Sequence, residues 1–212
     1  MQQIDVLTVK LGALQKAAEF ARTPTRSKTV VQLALRLLED LLIADRYQEA
    51  MQLAATAAQA AEQAHDSALS ARTAQIAERT ARLAEAYEAV KPSLAVLQQR
   101  PTDPEANLVA ARFYCLLKGD WRKGLPMFAL ANGSPVKALA VKELEGRTPA
   151  IELADGWWEL AEREGGWSTG PLMAHAAAWY RIALPQLADE AKARAEQRIR
   201  QAGADGAGLG SG

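Results

Sequence analysis

The sequence holds a single cysteine, Cys115, in 212 residues. That excludes an internal disulfide framework and a cysteine-based zinc site. The two histidines, His65 and His175, lie far apart, so no histidine-rich metal site is expected. No window approaches the ~18 uninterrupted apolar residues of a membrane span. The most apolar run, 30–43, is broken by Arg36, Glu39 and Asp40. An excess of one charge is also missing: Lys+Arg and Asp+Glu number 25 each, and both signs are spread evenly along the chain. The basic stripe that recruits nucleic-acid phosphates is therefore absent, as are an acidic tail and a polybasic membrane arm. No basic start followed by an apolar core marks a signal peptide. The compartment stays open, because the Gln-Gln after Met1 and the Gly/Ser end suit a domain excised from a longer protein. No phosphate-cradling Gly-rich loop follows a strand and no Ser-His-Asp context is visible, so neither a cofactor nor a catalytic centre is expected.

Glycine is missing between Gly12 and Gly119, and Pro24 is the only proline before Lys91. Alanine makes up about a fifth of the chain, which favours helix almost throughout. No strand alternation is visible. Nine of the twelve aromatic residues, including all five tryptophans, follow Arg112. The expectation is an all-α chain in two halves. Residues 1–100 form long helices packed through Ala and Leu, residues 101–202 form shorter helices with aromatic plugs, and both share one core. The Gly-rich stretch 203–212 reads as a flexible tail.

Helices are expected over about 5–21, 29–44, 47–64 and 68–99. The second has Val30, Leu33, Ala34, Leu37, Leu38 and Leu41 at helical spacing. The fourth carries a heptad seam with Leu69, Ile76, Leu83, Val90 and Leu97 at one position and Thr73, Thr80, Tyr87 and Leu94 at the other. Two threonines in that seam, and Pro92, which should kink or split the helix, favour packing against the chain's own helices over a coiled-coil dimer. Beyond Pro101, Asp103-Pro104-Glu105 spells an N-cap, a proline at the first helical position and an acid in the first turn. Ser134-Pro135 and Thr148-Pro149 repeat the device. Further helices follow over about 104–117, 121–131, 135–144, 149–163, 171–184 and 189–202.

Tyr47-x-x-Ala50-x-x-Leu53-Ala54-x-x-Ala57 aligns with Trp121-x-x-Gly124-x-x-Met127-Phe128-x-x-Ala131, and Tyr180-x-x-Ala183 is a weaker copy. An aromatic opens the second helix of a hairpin, and a small residue one turn later lets the two helices approach. This resembles the tetratricopeptide pattern, in degenerate copies whose spacing departs from its ~34-residue period. Four stretches are similar to a helical region that recurs in large planctomycete proteins. They are Asp103-Pro-Glu-Ala-Asn-Leu108 leading into Phe113-Tyr-Cys; Lys118-Gly-Asp-Trp-x-Lys-Gly-Leu-Pro126; Leu153-Ala-Asp-Gly-Trp-Trp-Glu-Leu-Ala161; and Ala178-Trp-Tyr-Arg-Ile-Ala-Leu-Pro185 with Lys192, Glu196 and Arg198. The match spans residues 100–200 and, more loosely, the first half. The resemblance implies an irregular tetratricopeptide-like stack, a short α-solenoid, with no enzymatic activity and no assigned role. Such modules stand beside lectin-like, protein-kinase or sulfatase-modifying-type domains, and none of these accompanies this chain. Gly165–Gly170 replaces a more charged linker.

Candidate sites follow from spacing. Glu152, Asp155, Glu159 and Glu162 share one helix face, but Leu153, Trp157, Leu160 and Ala161 oppose them, which makes the acids the wet side of an amphipathic helix. Glu159 and Arg163 can pair one turn apart. Trp157, Trp158 and Trp179 could form a ligand platform. Trp157 is expected as a core plug and Trp158, about 100° around the helix, as partly exposed. Lys118, Arg122, Lys123, Lys137 and Lys142 form a basic cluster able to receive an acidic segment. Cys115 reads as packing, since a nearby helix C-terminus disfavours a thiolate; His65 and His175 read as structural or exposed. The function expected is a protein-interaction or spacer module that binds a partner protein or peptide segment between helices through Lys118, Arg122, Lys123 and Trp158. The alternative is a glycan- or ligand-recognising accessory domain using the C-terminal tryptophans.

Overall fold

The computed structural model describes residues 5–132 and 135–208, with the side chains of 204–208 left aside. Ten α-helices and no strand occur among the described residues. The chain divides into two compact units at 89/90, inside a long helix and about ten residues before the compositional break. Each has an apolar cluster assigned to it.

In the first unit, α1 (Val6–Glu19), α2 (Pro24–Ile43) and α3 (Tyr47–Gln63) pack on one another. Helix α2 starts earlier than the sequence suggested. Thr23 accepts from the Arg26 amide at 3.4 Å with Pro24 at the first position, and the buried Ser27 hydroxyl donates to Ala21 carbonyl oxygen at 3.2 Å. This is the same cap-and-proline device as at Asp103, here missed because Pro24 reads as a stop. The core of α2 is Val30, Val31, Ala34, Leu37, Leu38 and Leu41; Leu33 lies at the edge of that stripe and is exposed. Small side chains dominate α3, where Ala50, Ala54, Ala57, Ala60 and Ala61 are buried. Asp45 and His65 close α2 and α3 with positive φ, where glycine is more usual.

Helix α4 (Ser67–Gln99) runs unbroken through Pro92. The expected interruption fails because Pro92 and Glu88, whose carbonyl loses its helical donor, are both exposed to water. In the heptad seam, Leu69 and Ile76 pack on the first unit's cluster. Thr73 and Thr80 are buried, with hydroxyls donating to carbonyls one turn back, Leu69 O at 3.1 Å and Ile76 O at 2.8 Å.

In the second unit α5 (Pro104–Ala111) begins as the sequence indicated, with Asp103 accepting from the Ala106 amide at 3.0 Å. It passes into a π-helical turn, Arg112–Lys118, where the sequence predicts plain α-helix. The wider turn buries four consecutive side chains, Phe113, Tyr114, Cys115 and Leu116, which a 3.6-residue period cannot do on one face. Gly119 ends it with φ +79°. Then come α6 (Trp121–Leu130), α7 (Pro135–Glu145), α8 (Ala150–Glu164), α9 (Thr169–Ala183) and α10 (Asp189–Gly208), each packed on its predecessor. The Ser134 cap lies outside the described residues. Helix α9 starts at Thr169, not Pro171, behind a 3₁₀ turn, Gly166–Ser168. Where a flexible tail is expected, α10 continues to Gly208; 209–212 lie outside the described residues.

A Cβ built on Gly124 would overlap the buried Cys115 Sγ and stand 3.0 Å from the Cys115 nitrogen, whereas one on Gly12 meets nothing within 4 Å. Either glycine gives up ~1 kcal/mol of helix propensity relative to alanine. Gly12→Ala should therefore raise stability by up to ~1 kcal/mol. Gly124→Ala should lower it by about 1–3 kcal/mol, since overpacking outweighs propensity. Urea unfolding of both variants measures the pair; a stabilising Gly124→Ala would contradict the close approach.

Candidate functional site

The sequence nominated acids, tryptophans and lysines of the second unit, and most of them are engaged internally. Trp157 is buried as expected. Trp158 is also buried, at 1% exposure, which corrects the expectation of a partly exposed ring. It is covered because Arg198 of α10 lies over it at 5.2 Å, while its Nε1 donates to Glu162 Oε1 at 2.8 Å. Helix α10 thus supplies the cover that helix-face geometry within α8 could not reveal.

The four acids of α8 are not one site. Glu152 pairs with Lys142 at 3.1 Å, Glu162 holds Trp158, and Glu159 is exposed. Asp155 accepts at Oδ1 from the Tyr180 hydroxyl at 2.5 Å and from Arg198 Nη1 at 2.6 Å, while Arg198 also donates to that hydroxyl. Burial, and then the Asp155 carboxylate, hold the Tyr180 phenol well above its ordinary range against the opposing effect of Arg198. This node joins α8, α9 and α10.

Sequence reasoning missed Glu143. Its Oε2 accepts from Trp157 Nε1 at 2.7 Å and Trp179 Nε1 at 3.0 Å, and His175 Nε2 faces the same oxygen at 2.9 Å. The Glu143 and His175 side chains are each nine-tenths buried. Trp121 stacks on His175 with ring centres 3.5 Å apart and planes 7° apart, and Trp157 meets both rings edge-on. One carboxylate oxygen thus gathers α7, α8 and α9, and Trp121 adds α6. With three nitrogens converging on Oε2, this arrangement acts as a structural pin. No sequence signal marked Glu143, since its partners lie 14, 32 and 36 residues away.

The basic cluster is divided. Lys118 and Lys123 both lie over the Tyr114 ring, at 5.5 and 4.0 Å; Arg122 is exposed at the start of α6; Lys137 is half-buried on α7; Lys142 belongs to Glu152. Cys115 is buried, and burial, reinforced by Glu143 and Asp120, pushes its thiol far above the ordinary range. His65 is exposed at the turn after α3.

Two open surfaces lie in the first unit, on either side of α1. Between α1 and α3 is a polar cleft of ≈ 720 Å³ lined by Gln15, Glu19, Arg22, Gln59, Gln63 and His65 over small side chains. Between α1 and α2 is an apolar groove of ≈ 450 Å³, with Ala13, Leu14, Ala17, Leu33 and Leu37 along it and Lys10, Arg36 and Asp40 at its rim. Val6 (57%) and Val9 (59%) are exposed on α1, Phe20 (70%) in the turn after it, and Leu33 (48%) on α2. Val6 and Ala13 are seven apart and so align along α1.

Helix α1 is held in place by Arg46, at the entry to α3. Arg46 Nη1 donates to both Asp5 oxygens at 2.7 Å, Nη2 to Thr8 Oγ1 at 2.6 Å, and Nε to Glu49 Oε2 at 2.7 Å. Asp5 also caps α1, accepting from the Leu7 and Thr8 amides. The Arg46 guanidinium, with help from Thr8, lowers the Asp5 carboxyl to about 2.

Among the described residues, no group of three or more His, Cys, Asp and Glu side chains is arranged to hold a metal, and no helix is long and apolar enough to cross a membrane. Comparison with family models, with curated proteins and with solved structures finds no match.

Glu143→Ala strands two indole N–H groups and an imidazole, each costing about 1–3 kcal/mol when buried unpaired. Thermal unfolding should show a large loss with red-shifted tryptophan emission, and Glu143→Gln, which keeps an acceptor oxygen, a smaller one. Equal losses would contradict convergence on one acceptor. Because Asp5 titrates below its unfolded value of 3.8, its bonds add stability that is complete above pH ~4 and lost as pH falls toward ~2. Carboxyl NMR titration should find Asp5 depressed in the native chain and ordinary in Arg46→Ala; an ordinary value in both would remove the clamp.

Proposed function

We propose that this chain is a protein-interaction module that binds a partner segment along a groove between helices, with the α1/α2 groove as its contact face. The observation that carries the reading is the set of exposed apolar side chains, Val6, Val9, Phe20 and Leu33, together with an open groove floored by Leu14 and Leu37. Apolar side chains gathered on one face mark docking surfaces more often than scattered ones do. The tetratricopeptide-like reading draws support from the buried Tyr47 and Ala50 and from Gly124 against Cys115, the positions where the pattern calls for a wedge and a close approach. For a glycan site, Trp157 and Trp158 present no open face, whereas Trp167 is exposed. The basic turn at Lys118, Arg122 and Lys123 is the rival contact surface.

Capture from native lysate on the immobilised chain, read by mass spectrometry, separates the two surfaces. A protein retained by the native chain should be lost by Leu33→Asp and kept by Lys118/Arg122/Lys123→Glu, with both variants folded by circular dichroism. The reverse pattern, or no specific retention, would overturn the assignment.

A further inference from the structure

We infer that the occupant of the α1/α2 face is a second copy of this chain, docked about a two-fold axis. The inference rests on the reading of that face as a docking surface and names its partner. On the outer side of α2, Leu33, Arg36, Asp40 and Ile43 are spaced three, four and three apart, share one face and are all exposed. The order is apolar, cation, anion, apolar. Two such helices packed antiparallel about a two-fold near residue 38 bring Leu33 against the Ile43 of the other copy and Arg36 against its Asp40, each contact occurring twice.

A pattern that is its own complement when reversed is what an isologous contact requires, because each residue must face a partner drawn from the same surface. Arg36 and Asp40 are one helical turn apart, yet neither side chain forms an ion pair among the described residues. Across the axis each of these charges meets one of the opposite sign. Leu33 and Ile43, 48% and 73% exposed, supply the apolar contacts. The neighbouring α1 exposes Val6 and Val9, which widen the apolar surface that each copy presents. The chain's formal net charge of zero raises no long-range repulsion against self-association.

Sedimentation velocity of the full chain over a hundredfold concentration range tests the inference. The wild type should dimerise, and Leu33→Asp should be monomeric. Arg36→Asp places two acids opposite each other and Asp40→Arg two cations. Either should weaken the dimer about tenfold or more, and the double variant Arg36→Asp/Asp40→Arg should restore it. All these positions are exposed, so the variants should stay folded, as circular dichroism would verify. A monomeric wild type, or a dimer indifferent to the swaps, would overturn the inference. If the wild type is monomeric while Leu33→Asp still loses a captured protein, the docking face stands and its occupant is a different protein. If capture is also indifferent, both readings fall.

Discussion

The guanidinium of Arg46 reaches two carboxylates at once, Asp5 ahead of the first helix and Glu49 on the third, and adds the Thr8 hydroxyl. Helix α1 needs such a hold. It buries only Leu11 and Leu14, with Leu7 and Ala18 packed partly against the core. Isolated surface ion pairs contribute little, but a shared, multidentate arginine fixes geometry as well as energy. With α1 fixed at its start, the spaces on either side of it are defined: an apolar groove toward α2 and a polar cleft toward α3. The groove and the cleft both depend on that placement.

The second unit spends its polar chemistry differently. Glu143 and Asp155 are each surrounded by donors from helices distant in sequence, so two carboxylates and the aromatic rings around them become connectors between helices. A buried carboxylate with its donors in place is stable where an unpaired one is costly. The same residues that would attract attention as an acid–base pair or an aromatic platform are occupied in holding α6 to α10 together.

The all-α architecture was legible because helix signals are local. Asp103-Pro104, the turn at Asp45 and Arg46, and the alanine-rich runs each act over a few residues. What was not legible depends on contacts across the chain. Trp158 is covered by Arg198, forty residues on, and Glu143 finds its partners through the packing of α7, α8 and α9. The π-helical turn depends on four adjacent large side chains all finding apolar neighbours, which no periodicity records. Leu33 illustrates a finer limit. It falls within the helical spacing of the α2 core, but at its edge, and only the position of α1 decides that it is left outside. The basic residues near Lys118 stood out because they cluster in sequence, although Tyr114 receives two of them.

Hydroxyl-radical footprinting of the chain, free and with its captured partner, tests most directly where binding occurs. The account predicts that Val9, Phe20 and Leu33 lose labelling on binding, while Trp167, exposed on the second unit, keeps it. Protection centred on Trp167 or on the turn before Trp121, with α1 and α2 labelled as in the free chain, would contradict it.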